Sequence, residues 1–279
     1  MVDYNEVANS ILSRLKTDFH KEIFQSSIEL LNTPIKTRFS NFATNIRELT
    51  RDVFKSLAPD DEVMNCNWFS MENPEGTTDI TRVQRMMYAI RGGLSDQFIE
   101  DELGIDLKSV TSKFNRVIHK LNKYTHINEK VYYRGEEAGY EMVEKTLIAF
   151  DDFLRAIEDT RYLIVSNLEK RLYDQVSDAL IDDVIQEVDI LATHYLVEGE
   201  TINNIIISNI TSTNLFLQVQ GSVDVEHQYG SDGDFRRGDG VRFENSYPFY
   251  ISLVLDINDP LEVSITPSDI IVDNSSFYE

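Results

Sequence analysis

At His194 the spacing of apolar residues changes, and that change constrains the fold more than any other feature of the chain. Before it, apolar residues recur three or four apart, the period that lines one face of an α-helix. After it they alternate, the period of a strand with one buried face. The alternation is cleanest where Leu217, Val219, Gly221, Val223, Val225, His227 and Tyr229 share one parity and Gln218, Gln220, Ser222, Asp224, Glu226 and Gln228 hold the other. Phe249, Ile251, Leu253, Leu255 and Ile257 repeat it, and shorter strands are expected around residues 205–207, 263–265 and 270–272. The predicted class is therefore α+β, with a helical N-terminal region (residues 1–193) followed by a C-terminal antiparallel β module (residues 194–279).

Within the helical region, Val7, Ile11, Leu15, Phe19 and Ile23 recur at every fourth position and predict one helix over residues 4–31, stopped by Thr33-Pro34. Phe39, Phe42, Ile46, Leu49, Val53 and Leu57 predict a second, ending before Pro59, and residues 58–80 read as a loop. Thr81 and Gln84 have the spacing of a capping box, Gly92-Gly93 closes the helix they start, and Ser95 is placed to cap the next. Two further helices are expected over residues 136–191. Met142, Phe150, Leu154 and Ile157 carry the first, and Leu168, Leu172, Val176, Ala179 and Leu180 the second.

The formal charge is −22, which repels phosphate backbones unless positive charge is concentrated somewhere. Residues 81–126 are that place, with 8 basic against 5 acidic side chains. The lone Cys66 rules out an intramolecular disulfide and a cysteine-based zinc cluster. The opening MVDYNEVANS lacks the basic start and apolar core of an export signal, so a cytoplasmic protein is expected.

Inside the positive segment, IRGGLSDQFIEDELGIDLKSVTSKFNRVIHKL (residues 90–121) reads as two short helices joined at Gly104-Ile105, a helix-turn-helix-like unit within residues 81–126. Phe98, Ile99 and Leu103 face inward from the first, and Val110, Phe114, Val117, Ile118 and Leu121 from the second. Outward positions hold Lys108, Ser109, Ser112, Lys113, Asn115, Arg116 and Lys120, types that reach phosphates and base edges. The pattern resembles response-regulator and sigma-factor DNA-binding helices, which makes Lys108, Lys113, Arg116 and Lys120 the candidate nucleic-acid-binding residues. A helical hairpin that only packs an all-α domain fits the same residues, and Glu100, Asp101 and Glu102 would repel DNA if they faced it.

No segment spells out a catalytic centre. Arg14 and His20 stand at the Arg-x5-His spacing of HEPN ribonucleases, yet on one continuous helix they would sit about 120° apart. His119 and His126 flank a distinctive LNKYTHI run, which also suits a histidine bonded at a helix C-terminus. The Glu-x-Lys of restriction-type nucleases is absent, and Asp106-Leu107-Lys108 has only an Asp variant of it. In YGSDGDFRRGDG (residues 229–240), Asp232, Asp234 and Asp239 are candidate ligands for a hard cation such as Ca²⁺ or Mg²⁺. Arg236-Arg237 would neutralise the same carboxylates without metal, and Gly with Asp also suits a turn between strands.

Several blocks together resemble the second group of bacterial predicted pPIWI-associating nucleases: LAPDDEV with WF (57–69), TRVQRMMYAIRGGLSDQFIEDELGID (81–106), LNKYTHI (121–127), and QYGSDGDFRRGDG with SYPF (228–249). The resemblance implies a role in prokaryotic defence against phage or plasmid DNA, alongside a PIWI/Argonaute-like partner in some systems. It carries over no catalytic residue, because the usual nuclease pattern is missing. Three readings follow. One is a defence component that acts on or binds nucleic acid, with a divalent cation such as Mg²⁺ if it is a nuclease. Another is a non-catalytic adaptor for a partner protein. The third is a homo-oligomer paired through the helices of residues 5–57.

Overall fold

The computed structural model describes residues 4–70, 80–126, 129–132, 135–182 and 184–278. The chain divides into two compact units, Met1–Arg161 and Tyr162–Glu279, while helix gives way to strand at His194.

The first unit is helical. Where one helix was expected over residues 4–31 there are two, α1 (Tyr4–Arg14) and α2 (Asp18–Leu31). The Thr17 side chain accepts from the His20 amide at 3.1 Å and starts α2 afresh. The restart rotates the buried face, so His20, Phe24, Ser27 and Leu31 turn inward and Phe19 is left 58% exposed. α3 (Arg38–Leu57) follows the expected stripe, burying Phe42, Ile46, Leu49 and Val53. The segment read as a loop begins instead with a short helix, α4 (Asp60–Met64); its residues 71–79 lie outside the described residues. Next come α5 (Arg82–Arg91), α6 (Leu107–Thr125) and α7 (Glu129–Tyr132). Arg91, fully buried at the end of α5, lies over Trp68 at 4.5 Å and pairs with Asp96.

The two helices expected over residues 136–191 are one 47-residue helix, α8 (Glu136–Asp182), followed by α9 (Gln186–Asp189). No Gly or Pro interrupts residues 140–182, so both apolar stripes run on a single backbone. In the first unit an aromatic cluster joins α3, α6 and α8. Phe114 stacks on Phe150 with centroids 5.4 Å apart, and Phe54 meets Phe114 and Phe153 edge-on at 5.8 and 5.3 Å. Such rings each contribute about 2–3 kcal/mol through burial alone.

The second unit is an antiparallel meander of four strands in the order β1-β2-β3-β4: β1 (His194–Ile210), β2 (Asn214–Tyr229), β3 (Val241–Asp256) and β4 (Ile270–Val272). The odd-numbered positions from Leu215 to His227 of β2 and from Tyr247 to Leu255 of β3 form the buried face, as their alternation predicts, whereas Tyr229 is exposed and Gln228 buried. At Gly221 a Cβ would meet the Thr201 carbonyl at 2.3 Å and the Phe249 ring at 2.4 Å, so close approach requires glycine there. The strand expected at residues 263–265 is absent. The Ile265 amide donates to Gln175 of α8 at 3.3 Å, so a side chain and not a ladder satisfies it. No helix among the described residues is long and apolar enough to cross a membrane.

Candidate nucleic-acid interface

The segment that carries the positive charge is held by local devices readable in its sequence. Thr81 accepts from the Gln84 amide at 3.2 Å while Gln84 accepts from the Thr81 amide at 2.8 Å, closing the capping box of α5. Ser95 accepts from the Phe98 amide at 3.1 Å and starts the next turn. That turn is π-helical: Leu103 donates to the Phe98 carbonyl, five residues back, at 3.1 Å. Gly104 then takes φ +68, which favours glycine. Asp106 accepts from the Ser109 amide at 2.9 Å and begins α6, so it caps a helix and does not lie on a strand.

Phe98, Ile99, Leu103, Phe114, Ile118 and Leu121 are buried, while Val110 and Val117 are half-buried. The opposite side of α6 exposes Lys108, Ser109, Ser112, Lys113, Arg116 and Lys120, joined by His119 and Lys123. α6 contains no Asp or Glu. Its cations differ in what surrounds them. Lys113 pairs with Asp152 of α8 at 2.5 Å, and Lys108 lies 3.9 Å from Glu100. Arg116 donates through Nε to the Ser112 carbonyl at 3.2 Å. Among the described residues, no carboxylate pairs with Arg116, Lys120 or Lys123.

Two arginines missed by sequence reading reach the same edge of α6, Arg82 and Arg47, the latter 3.6 Å from Glu48. Arg82 of α5 donates to Asn115 at 3.2 Å, and Arg47 of α3 donates to Asn122 at 3.1 Å, both along one edge of α6. Burial, and then the nearby Arg47 charge, hold the Arg82 guanidinium below its ordinary value. Two like charges have thus been brought together over α6. Nothing local to residues 47 and 82 signals this, because it depends on how α3 and α5 pack around α6.

The other candidates have structural partners. Arg14 pairs with Glu158 at 2.7 Å and Asp151 at 3.4 Å, while His20 pairs with Asp52 at 2.9 Å. The HEPN-like pair is thus split between α1 and α2 and joined to different carboxylates. Between β2 and β3, α10 (Asp232–Arg237) occupies the glycine-rich segment. Asp232 accepts from Gln228 at 3.1 Å, Asp234 from Ser231 and Arg237, and Asp239 lies 3.8 Å from Arg237. The Gln228 bond lowers the Asp232 carboxyl and the Ser231 bonds that of Asp234. Among the described residues, no group of three His, Cys, Asp or Glu could hold a metal ion. His126 lies just past α6, and the final Ile127 of the LNKYTHI block is outside the described residues.

Comparison with protein families gives two matches that together span nearly the whole chain, both described as Predicted pPIWI-associating nuclease. One covers residues 12–150 and the other residues 157–278. This chain belongs to the predicted pPIWI-associating nucleases. The blocks at 57–69, 81–106 and 121–127 fall in the match that belongs to the family's first group, and the block at 228–249 in that of the second. No curated protein and no solved structure matches. The positive face of this predicted pPIWI-associating nuclease lies wholly within the first match.

Proposed function

We propose that this predicted pPIWI-associating nuclease engages nucleic acid along the exposed face of α6, as a component of a prokaryotic defence system. One observation carries the reading: in a chain of net charge −22, a 19-residue helix carries no carboxylate and exposes Arg116, Lys120 and Lys123 with no ion-pair partner among the described residues. A polyanion gains by releasing counterions at such a face. The turn at Gly104, with φ +68, precedes α6, and a tight turn before a groove-binding helix is what a helix-turn-helix requires.

The test is duplex and single-strand retention at low salt, with DNA and RNA compared. Arg116→Glu with Lys120→Glu is expected to abolish retention, whereas Lys113→Glu alone weakens it less because Asp152 already neutralises Lys113. Each lost phosphate contact should reduce the slope of log affinity against log salt by about 1. Unchanged binding by the folded double variant would remove α6 from the interface. A nuclease step would appear as degradation that requires Mg²⁺ and stops with EDTA; intact nucleic acid would leave a binding role. The family's description also points to a PIWI-like partner, and co-purification with such a protein tests that association.

The adaptor reading draws on the outer face of the sheet, where Leu196, Tyr250, Val254 and Ile271 are 61, 48, 59 and 64% exposed. Apolar side chains in that position suit a protein partner.

A further inference from the structure

Lys113 of α6 pairs with Asp152 of α8, and the Tyr124 hydroxyl donates to the Ala138 carbonyl at 3.5 Å, so the two helices run antiparallel along one seam. Between those contacts the packing leaves a cavity of about 200 Å³. Its floor is apolar, with Val117, Leu121 and Tyr124 on the α6 side and Met142 on the α8 side. Leu121, Tyr124 and Met142 are buried. The Thr146 hydroxyl, also in the floor, donates to the Met142 carbonyl at 2.7 Å and so turns away from the space. Lys120, Glu141 and Lys145 line the same cavity and are exposed, which gives it a charged mouth.

Helix geometry sets this cavity beside the unpaired cations. Arg116, Lys120 and Lys123 follow one another at steps of four and three residues and form one stripe of α6. Val117, Leu121 and Tyr124 form the next, about 100° around the helix. Lys120 belongs to the first stripe and to the mouth of the cavity. A polyanion that tracks the cations therefore carries its other groups past the apolar floor. The size selects among those groups. A dry cavity of about 150 Å³ holds benzene, and pockets for whole small molecules begin at roughly 300 Å³, so one ring system fits without its sugar and phosphate. The mouth agrees with this division. Glu141 and Lys145 bond one another and offer an acceptor and a donor to the edge of a base, while Lys120 remains for the phosphate outside. We propose that the cavity takes an unpaired nucleobase, so that the nucleic acid held on α6 is single-stranded. A paired base could enter only by leaving its stack. The proposal rests on the α6 reading and adds the substrate class to it.

The experiment measures affinity for a single strand and for a strand of equal length built of abasic linkers, which keeps the phosphates and lacks the bases. The wild type is expected to hold the intact strand about tenfold more tightly. Ala138→Leu, which fills the cavity from its half-buried α8 wall and removes no cation, should bring that ratio close to one with the salt slope unchanged. Equal affinity of the wild type for intact and abasic strands would make the cavity a packing gap only and leave α6 standing. Intact-strand binding that persists in the folded Arg116→Glu, Lys120→Glu variant, or no retention of any strand by the wild type, would overturn the α6 reading and the cavity's role with it.

Discussion

His227 shows how one side chain can hold a stability signature. It is fully buried on β2, and its Nε2 meets the Tyr247 hydroxyl at 2.9 Å. Tyr247 also accepts from Asn245 at 2.8 Å. Nδ1 is buried with no partner. Burial holds the imidazole below its ordinary value of 6.5. The unfolded chain therefore binds a proton where the folded chain does not, and stability falls as pH drops below that ordinary value until the folded value is reached. Urea midpoints of wild type and His227→Phe should diverge between about pH 7 and about pH 5, the wild type losing more; parallel curves would refute this. Cys66 gives a second test at this scale. Burial pushes its thiol up to about 12, so almost no thiolate forms near neutrality. Its reaction with a disulfide reagent at about pH 8 should be about a hundredfold or more slower in the folded than in the unfolded chain.

Among the helices, the informative case is the break between α1 and α2. A stripe at every fourth residue drifts around a 3.6-residue helix, and the Thr17 cap resets it by one position so that Phe24 packs edge-on against Phe150 at 6.4 Å. Thr17→Ala should lower stability by about 1 kcal/mol, measured by urea unfolding, because an amide in the first turn of α2 loses its partner. The cap was legible as Thr17-Asp18, yet the apolar stripe obscured it. α8 shows the converse error, since two stripes were read as two helices where nothing in residues 140–182 stops the backbone. In the sheet, the alternation at residues 217–227 and 249–257 gave the buried face, but at the end of β2 Gln228 is buried and Tyr229 exposed. Residues 263–265 share that pattern but stay outside the sheet, where Gln175 bonds Ile265. Alternation reports which side chains are apolar and leaves open what their amides pair with.

For the whole molecule, the charge of −22 makes two opposed predictions. Raising NaCl from about 0.02 to about 0.2 M should raise the thermal midpoint, because screening relieves self-repulsion. The same change should weaken nucleic-acid retention, because counterion release then gains less. Thermal scans and binding isotherms that move together would contradict the interface. The sequence by itself determined the α+β class, the switch of period at His194 and the location of the positive segment, since periodicity and composition are local properties of the chain. Which cations act on solvent was decided by tertiary structure. Asp152 neutralises Lys113 from 39 residues away, Arg47 and Arg82 reach the edge of α6 from other helices, and Lys36 and Arg38 line one pocket with Tyr124 only because α3, α6 and α8 converge. Charge pairing and cavities depend on distances through space, and residue order encodes those only through the packed fold.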